Sequence, residues 1–204
     1  MIKRTELFCS HRRQNLIFLR LCVKIILYVF CCDKRVIFLR IIGIDPGYAI
    51  VGFGILDYDR NEFSVVDFGA ITTPAGSPFE LRLKSIYDDM CEILDTYKPD
   101  EMGIEKLFFN TNQKTGIDVA QARGVTLLPA IERGIKISEY TPLQVKQSVV
   151  GYGRAEKKQV QELTRSILKL SKVPKPDDTA DALALAITHG HSSFNTLKNL
   201  EKYL

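Results

Sequence analysis

The sequence has few residues of the kinds that hold zinc or build disulfide frameworks. It contains 3 histidines and 5 cysteines in 204 residues, and none of them has the paired spacing of a metal site. The cysteines are Cys9, Cys22, Cys31, Cys32 and Cys91, so four of the five lie in the first 32 residues. This pattern argues against a disulfide scaffold and favours a cytoplasmic location, where thiols stay reduced.

A long uninterrupted apolar run is also missing. The most apolar stretch, residues 16–32, is interrupted by Arg20 and Lys24, so it is too short and too charged for a membrane span. Residues 31–35 do not offer the small-residue cleavage site of a signal peptide. We therefore expect residues 1–38 to be an amino-terminal extension outside the native or ordered protein, with translation starting near residues 36–39. A weakly membrane-associating amphipathic segment is the alternative.

Internal repeats and low-complexity tracts are absent, and the remaining sequence predicts one domain at 39–191 followed by a short tail at 192–204. Its hydrophobic periodicity predicts a mixed α/β sheet of about five strands, with helices on both faces. The predicted strands are 36–44, 51–56, 63–71, 102–105 and 135–140, the first three antiparallel in sequence. The predicted helices are 79–97, 115–133, 143–150, 155–170 and 178–189.

Charge is distributed unevenly along the chain. Residues 41–140 carry nine Lys or Arg against sixteen Asp or Glu, whereas residues 141–176 carry eight against two. A basic block beside an acidic one suits a protein that grips phosphates with one part and holds divalent cations with the other. A solvated basic helix face is the simpler explanation, and charge alone does not decide between them.

Four acids stand where the predicted elements bring them together. Asp45 and Glu105 each end a strand, and Asp178 and Asp181 are three apart on one face of the last helix. Because that helix is otherwise rich in Ala and Leu, its acids are costly to bury unless a cation neutralises them. Oxygen ligands alone indicate Mg²⁺, with Mn²⁺ as a substitute, and two ions would suit phosphodiester hydrolysis.

Each acid also has a structural explanation. Asp45 precedes Pro46 and Gly47 and suits a plain turn, while Asp178 suits the first turn of a helix, where the dipole favours acids. Asp177 could face Asp181 in place of Asp178, and we assign Asp177 to the helix cap. His189 and His191 are expected to complement the dipole at the helix end. His189 is kept as a secondary candidate for a base that positions water.

Several motifs, in this order along residues 39–191, resemble the RuvC family of Holliday-junction resolvases. They are Ile44-Asp45-Pro46-Gly47, Ile104-Glu105-Lys106-Leu107-Phe108, Gln121-Ala122-Arg123-Gly124, Gln144-Val145-Lys146-Gln147, the stretch from Gly151 to Val160, and the stretch from Asp178 to Ala184. The resemblance implies a ribonuclease-H-like fold. It also implies a homodimer that nicks two opposing strands of a four-way DNA junction, with a branch-migration motor complex as partner.

By the same resemblance, Asp45, Glu105, Asp178 and Asp181 are the catalytic and metal-binding acids. Lys146 and Lys157 lie near the scissile phosphate and DNA backbone, and Phe108 stacks on bases of the opened junction. Arg154 and Lys158 belong to the same basic motif and are further DNA-binding candidates. From the residues alone, the lysines could be solvated and Phe108 could anchor its loop in the core. The Gln121–Gly124 segment suggests a helix at a dimer contact, or one that packs on the sheet.

Three other functions are compatible with parts of this pattern. A nuclease of the same fold acting on RNA in hybrids would carry similar acids, but the basic stretch from Gly151 to Val160 argues against it. An actin-like ATPase or sugar kinase could use the glycines at 43–54, but it needs a duplicated domain that this chain is too short to hold. A junction-binding scaffold without catalysis would not need all four acids.

Overall fold

The computed structural model of the chain describes residues 38–107 and 113–201, with side chains over 38–107 and 116–193. These ranges contain a five-stranded sheet in the order β3-β2-β1-β4-β5. The strands are β1 (Leu39–Asp45), β2 (Ile50–Asp59), β3 (Glu62–Thr72), β4 (Glu101–Glu105) and β5 (Lys136–Tyr140). The first three pair antiparallel, and β4 and β5 add in parallel on the other side of β1. The predicted mixed sheet is confirmed.

The helices are α1 (Phe79–Tyr97), α2 (Gln113–Glu132), α3 (Pro142–Val150), α4 (Lys157–Ile167) and α5 (Asp177–Glu201). Local sequence accounts for several of their ends. Lys98 takes a left-handed conformation after α1, and Pro99 follows it. Thr141 caps α3, since its side chain accepts a hydrogen bond from the Gln144 backbone N–H and its own N–H bonds the Gln144 side chain.

Helices cover both faces of the sheet, as the sequence predicted. On one face α1 and α2 pack through buried side chains such as Ile86, Met90 and Ala122 against β1, β2 and β4. On the other, α5 lies against the sheet with α3 and α4 outside it, through residues such as Leu183 and Val149. Apolar burial of this kind is the main stabilisation of such a layered fold.

The last helix is longer than predicted. We expected it to end at His189, but it continues to Glu201. Gly190 lies inside the helix, where its missing side chain leaves room for the Phe63 ring. His189 and His191 are therefore not at a helix end, and the prediction that they complement its dipole is wrong.

Some predictions fall on residues outside the described ranges. These are the nature of the 1–38 extension, of which only Phe38 is described, and the stacking role of Phe108. The domain bounds at 39–191 and the separate tail stay predictions. Among the described helices, none combines the length and apolarity needed to cross a membrane.

Candidate active site

Two of the predicted acids meet at one edge of the sheet because their strands are neighbours. β1 and β4 run parallel with Ile44 beside Ile104, so Asp45 and Glu105 follow at the same end. Both strands are buried up to this point, with Ile44 and Ile104 fully inaccessible. The two carboxylates therefore emerge side by side from the hydrophobic core.

Glycines in β1 and β2 bring the other two acids to the same place. Gly52 pairs with Asp45 across the β1–β2 ladder, and a Cβ on Gly52 would lie 2.1 Å from the backbone oxygen of Asp178. A Cβ on Gly43 would lie 2.0 Å from the backbone oxygen of Ala182. Only glycine allows α5 to approach the sheet this closely, and the approach carries Asp178 and Asp181 over the end of β1.

The acids act on one another strongly enough to change their protonation. Burial first, and then the charges of Glu105, Asp181 and Asp178, raise the pKa of Asp45 to about 8. The protonated Asp45 donates a hydrogen bond to Glu105, whose own pKa is raised by burial in spite of that bond. At neutral pH the site therefore keeps a proton on Asp45.

Lys157, at the start of α4, is the cation closest to these acids. Its Nζ lies 2.8 Å from Asp181 Oδ2 and 4.0 Å from Asp177 Oδ2. Burial raises the pKa of Asp181 even though the bond from Lys157 opposes that shift. Burial lowers the pKa of Lys157, but the surrounding carboxylates raise it more. The lysine thus stays charged and offsets part of the acidic charge.

An open cleft of about 180 Å³ lies beside these groups. Glu105 and Asp181 line it together with Lys146 and Lys157, and the remaining wall is apolar, including Val145 of α3. A cleft lined by both carboxylates and lysines suits a phosphodiester, which needs both metal coordination and cationic contacts.

The donors fit a hard divalent cation in chemistry, because all four are carboxylates that repel one another. As placed, the described side chains form no cluster of three or more acidic, histidine or cysteine groups with the spacing of a metal site. The Lys157–Asp181 ion pair holds one of the acids toward α4. Binding a cation would therefore require the carboxylates to turn inward from these positions.

The loop that follows Asp45 is held by a side chain that sequence reasoning missed. Arg82 of α1 donates from Nε to Thr73 Oγ1 at 2.8 Å and from Nη2 to the Tyr48 carbonyl at 3.2 Å. Its guanidinium also lies 4.7 Å from the centre of the Tyr48 ring. Thr73 Oγ1 donates to the same carbonyl at 2.7 Å. These bonds fix the chain next to Asp45.

Arg123 of α2 holds the end of β4 in a similar way. Its Nε donates to the Glu105 carbonyl at 3.3 Å, and its guanidinium pairs with Glu139. The motif that contains Arg123 is partly buried and partly exposed. Ala122 is fully buried, whereas Gln121 and Gly124 are exposed. The arginine of this motif thus holds the end of β4, a role with no local signature in the sequence.

His189 does not reach the acids. It is 1% exposed, and its Nδ1 and Nε2 lie 2.8 Å from the Tyr140 hydroxyl and 2.5 Å from Glu101 Oε2. Eight residues separate it from Asp181, roughly 12 Å along a helix. With both ring nitrogens engaged in the interior, His189 is not available to position a water at the site.

The remaining candidates lie around the cleft. Arg154 and Lys158 are exposed beside Lys157 but do not line the cleft. Asp177, which we expected to cap α5, is its first residue and pairs with Lys175. That hydrogen bond lowers the pKa of Asp177, so Asp177 is neutralised by its own cations and is not one of the groups that act on Asp45.

Comparison with known proteins identifies the family. Residues 41–189 match the family model of crossover junction endodeoxyribonuclease RuvC. The chain is 57% identical over 162 residues to that enzyme of Clostridioides difficile (strain 630), covering 78% of this chain and 96% of the relative. It is 58% identical over 151 residues to the enzyme of Brevibacillus brevis (strain 47), covering 74% and 91%.

A solved structure agrees with these matches. Thermus thermophilus RuvC in complex with a Holliday junction substrate superposes with a TM-score of 0.72 at 31% identity, covering 76% of this chain and 94% of that one. The ribonuclease-H-like α/β fold expected from the sequence is thereby confirmed. With the family model spanning most of the domain, the chain belongs to the RuvC family of crossover junction endodeoxyribonucleases.

Proposed function

We propose that this chain binds four-way DNA junctions as a homodimer and resolves them by paired, symmetric strand nicks. The observation that carries the proposal is the group of four acids around the end of β1, beside a cleft that Lys146 and Lys157 line. The Thermus thermophilus relative, with 31% identity, was solved with a Holliday junction. The proposed process is DNA recombination and repair in the cytoplasm, and family membership alone implies a branch-migration motor complex as partner.

The proposed metal-binding and catalytic residues are Asp45, Glu105, Asp178 and Asp181. Two Mg²⁺ ions, or Mn²⁺ in their place, would supply activation of a water molecule and stabilisation of the leaving oxygen. The protein's own part is electrostatic. Burial and mutual repulsion leave the four acids short of positive charge, which favours a divalent cation over any neutral ligand.

The proposed DNA contacts come from the basic block. Lys146 and Lys157 face the cleft, where each can reach a phosphate beside the acids. Lys157 is 59% exposed although it is bound to Asp181, so it can turn to a phosphate once another cation neutralises that acid. Arg154 and Lys158 extend the positive surface away from the cleft. Phe108 stays a candidate for base stacking.

The homodimer has support in the exposed face of α2. Three apolar side chains there, Ile117, Leu128 and Ile131, are 56%, 52% and 62% exposed. Together with Gln121 and Gly124 they repeat at intervals of four and three residues, the spacing of a helix seam that packs against a second helix. A Cβ on Gly124 would meet nothing within 4 Å, which leaves room for a partner helix.

The decisive test of the activity is cleavage of a synthetic four-way junction beside a matched duplex and an RNA/DNA hybrid, with and without Mg²⁺. We expect cutting of the junction alone, and only with metal. Asp45→Asn should keep junction affinity and abolish cutting, whereas Asp59→Asn at the far end of β2 should change neither. Cutting of the hybrid, or wild-type cutting by Asp45→Asn, would contradict the proposal.

The dimer is tested separately by sedimentation. Leu128→Glu should convert a dimer to a monomer, because it places a charge in the middle of the apolar seam. The control is Leu81→Glu, which changes a side chain that is 60% exposed on α1. If Leu128→Glu still sediments as a dimer, α2 is not the interface.

A further inference from the structure

The turn between α3 and α4 exposes an aromatic ring that is held in place. Tyr152 is 49% exposed, and its hydroxyl donates to Gln159 Oε1 at 3.1 Å. The same oxygen accepts the backbone N–H of Glu156 at 2.9 Å as part of the cap of α4. The ring is therefore tied to the first turn of α4 at its polar end, while much of its surface remains open to solvent.

A second apolar side chain lies at the same turn. Leu143 is 55% exposed and packs across Gly153, where a Cβ would be 2.2 Å from Leu143 Cδ1. Gly151, which ends α3, has a φ of 93° and so turns the chain back toward Leu143. Leu143 and Tyr152 are thus two exposed apolar side chains at one turn, hereafter the turn patch.

The surroundings of the turn patch are basic and adjoin the candidate active site. Exposed Arg154 and Lys158 lie on the same turn and on α4. The two helices that the turn joins also form the cleft wall, through Pro142 and Val145 on one side and Lys157 on the other. Single exposed apolar residues are ordinary on protein surfaces, but a fixed aromatic ring among cations beside a nuclease cleft has the composition of a site for nucleic acid strands.

We propose that the turn patch is a stacking site for an unpaired base of the substrate DNA, with Tyr152 as the stacking ring and Leu143 as its apolar border. The proposal rests on the proposed function, since a junction that is opened by the bound protein exposes such bases near its crossover. A base inside a duplex has both faces covered by its neighbours, so Tyr152 gains nothing from duplex arms. The ring adds a contact that does not depend on charge to the electrostatic grip of the lysines.

Affinity measurements in EDTA test this without cleavage. The titrations use junction, matched duplex and single strand at several salt concentrations. They compare wild type with Tyr152→Ala, Tyr152→Phe and Lys158→Ala. Tyr152→Ala should weaken binding to the junction and the single strand by about tenfold, with duplex binding and the slope of log Kd against log salt unchanged. Tyr152→Phe, which keeps the ring, should stay close to wild type.

Lys158→Ala is the matched electrostatic control. It should lower the salt slope by about 0.9 and weaken all three DNAs alike, because a phosphate contact carries no preference for unpaired bases. As direct evidence for stacking, 2-aminopurine at the crossover should be quenched by wild type and Tyr152→Phe but not by Tyr152→Ala. Urea unfolding of Tyr152→Ala should match wild type, since the ring is half exposed.

Unchanged junction affinity in Tyr152→Ala, an equal loss on duplex, or a reduced salt slope would each overturn the stacking site. Failure of the proposed function would look different. In that case the wild-type protein itself would not prefer the junction to the duplex, whatever the effect of Tyr152→Ala.

Discussion

Replacing Asp45 with a side chain that cannot ionise should stabilise the metal-free protein at neutral pH. Burial and the neighbouring acids raise the pKa of Asp45 from 3.8 to about 8, so the folded state binds a proton there that the unfolded chain has already released. Stability from this group is therefore fully present below pH 3.8 and is lost as the pH rises toward 8. Asp45→Asn carries no such loss, because an amide does not ionise.

The size of the effect follows from the same shift. Each pKa unit corresponds to about 1.4 kcal/mol, and about three units separate 3.8 from pH 7, so the limit at pH 7 is about 4 kcal/mol. The Asn amide keeps only part of the hydrogen bond to Glu105. We therefore expect Asp45→Asn to raise the free energy of unfolding by about 2 to 4 kcal/mol at pH 7 and by almost nothing at pH 4.

Urea unfolding in EDTA between pH 4 and pH 9, followed by circular dichroism, measures this difference. Asp95→Asn is the control. The bond from Arg133 lowers the pKa of Asp95, so this substitution should lower the free energy of unfolding at neutral pH. A variant no more stable than wild type at pH 7, or a difference that does not change between pH 4 and pH 8, would refute the electrostatic description of the site.

Added metal should narrow the difference between the two proteins. A cation that binds the folded wild type at ten times its Kd stabilises it by about 1.4 kcal/mol. Asp45→Asn should gain much less from Mg²⁺, since it lacks one of the four acids. Equal stabilisation of both proteins by Mg²⁺ would mean that the ion binds elsewhere.

Three further predictions concern the groups around the site. Lys157→Ala should lower the salt slope of junction binding by about 0.9, and an unchanged slope would argue against its phosphate contact. Arg82→Ala should raise the Mg²⁺ concentration needed for half-maximal cleavage, because the Tyr48 loop loses its anchor; Arg133→Ala, in the turn after α2, should leave that concentration unchanged. Burial lowers the pKa of His189, so wild type should lose unfolding free energy below about pH 6.5. His189→Gln should flatten that loss in urea titrations at pH 7.5 and 5.5, and equal losses in both proteins would assign it to other groups.

The sequence predicted those parts of the site that depend on strand order and local pattern. Asp45 and Glu105 end buried strands, and a shared sheet edge follows once the strands are neighbours. The caps at Thr141 and Lys98 likewise involve residues close in sequence. The spacing of Asp178 and Asp181 on one helix was visible for the same reason.

Features that depend on distant residues were not predictable from the pattern. The sequence pattern ended the last helix at residue 189, and the Phe63 ring packed beside Gly190 explains a glycine inside α5. His189 was a candidate base because its hydrogen-bond partners, Tyr140 and Glu101, lie far from it in sequence, on β5 and β4. The anchors of the site, Arg82 and Arg123, bond to backbone carbonyls, which leave no trace in the sequence.

The close contact between the glycines of β1 and β2 and helix α5 links activity to the order of synthesis. The ribosome makes Gly43 and Gly52 early, but the helix that fills the space above them is the last of the described elements. A nascent chain that has reached the end of β4 carries Asp45 and Glu105 and lacks the other two acids. Domains fold as units once enough of the chain has emerged, so cutting activity should arise only when synthesis is nearly complete.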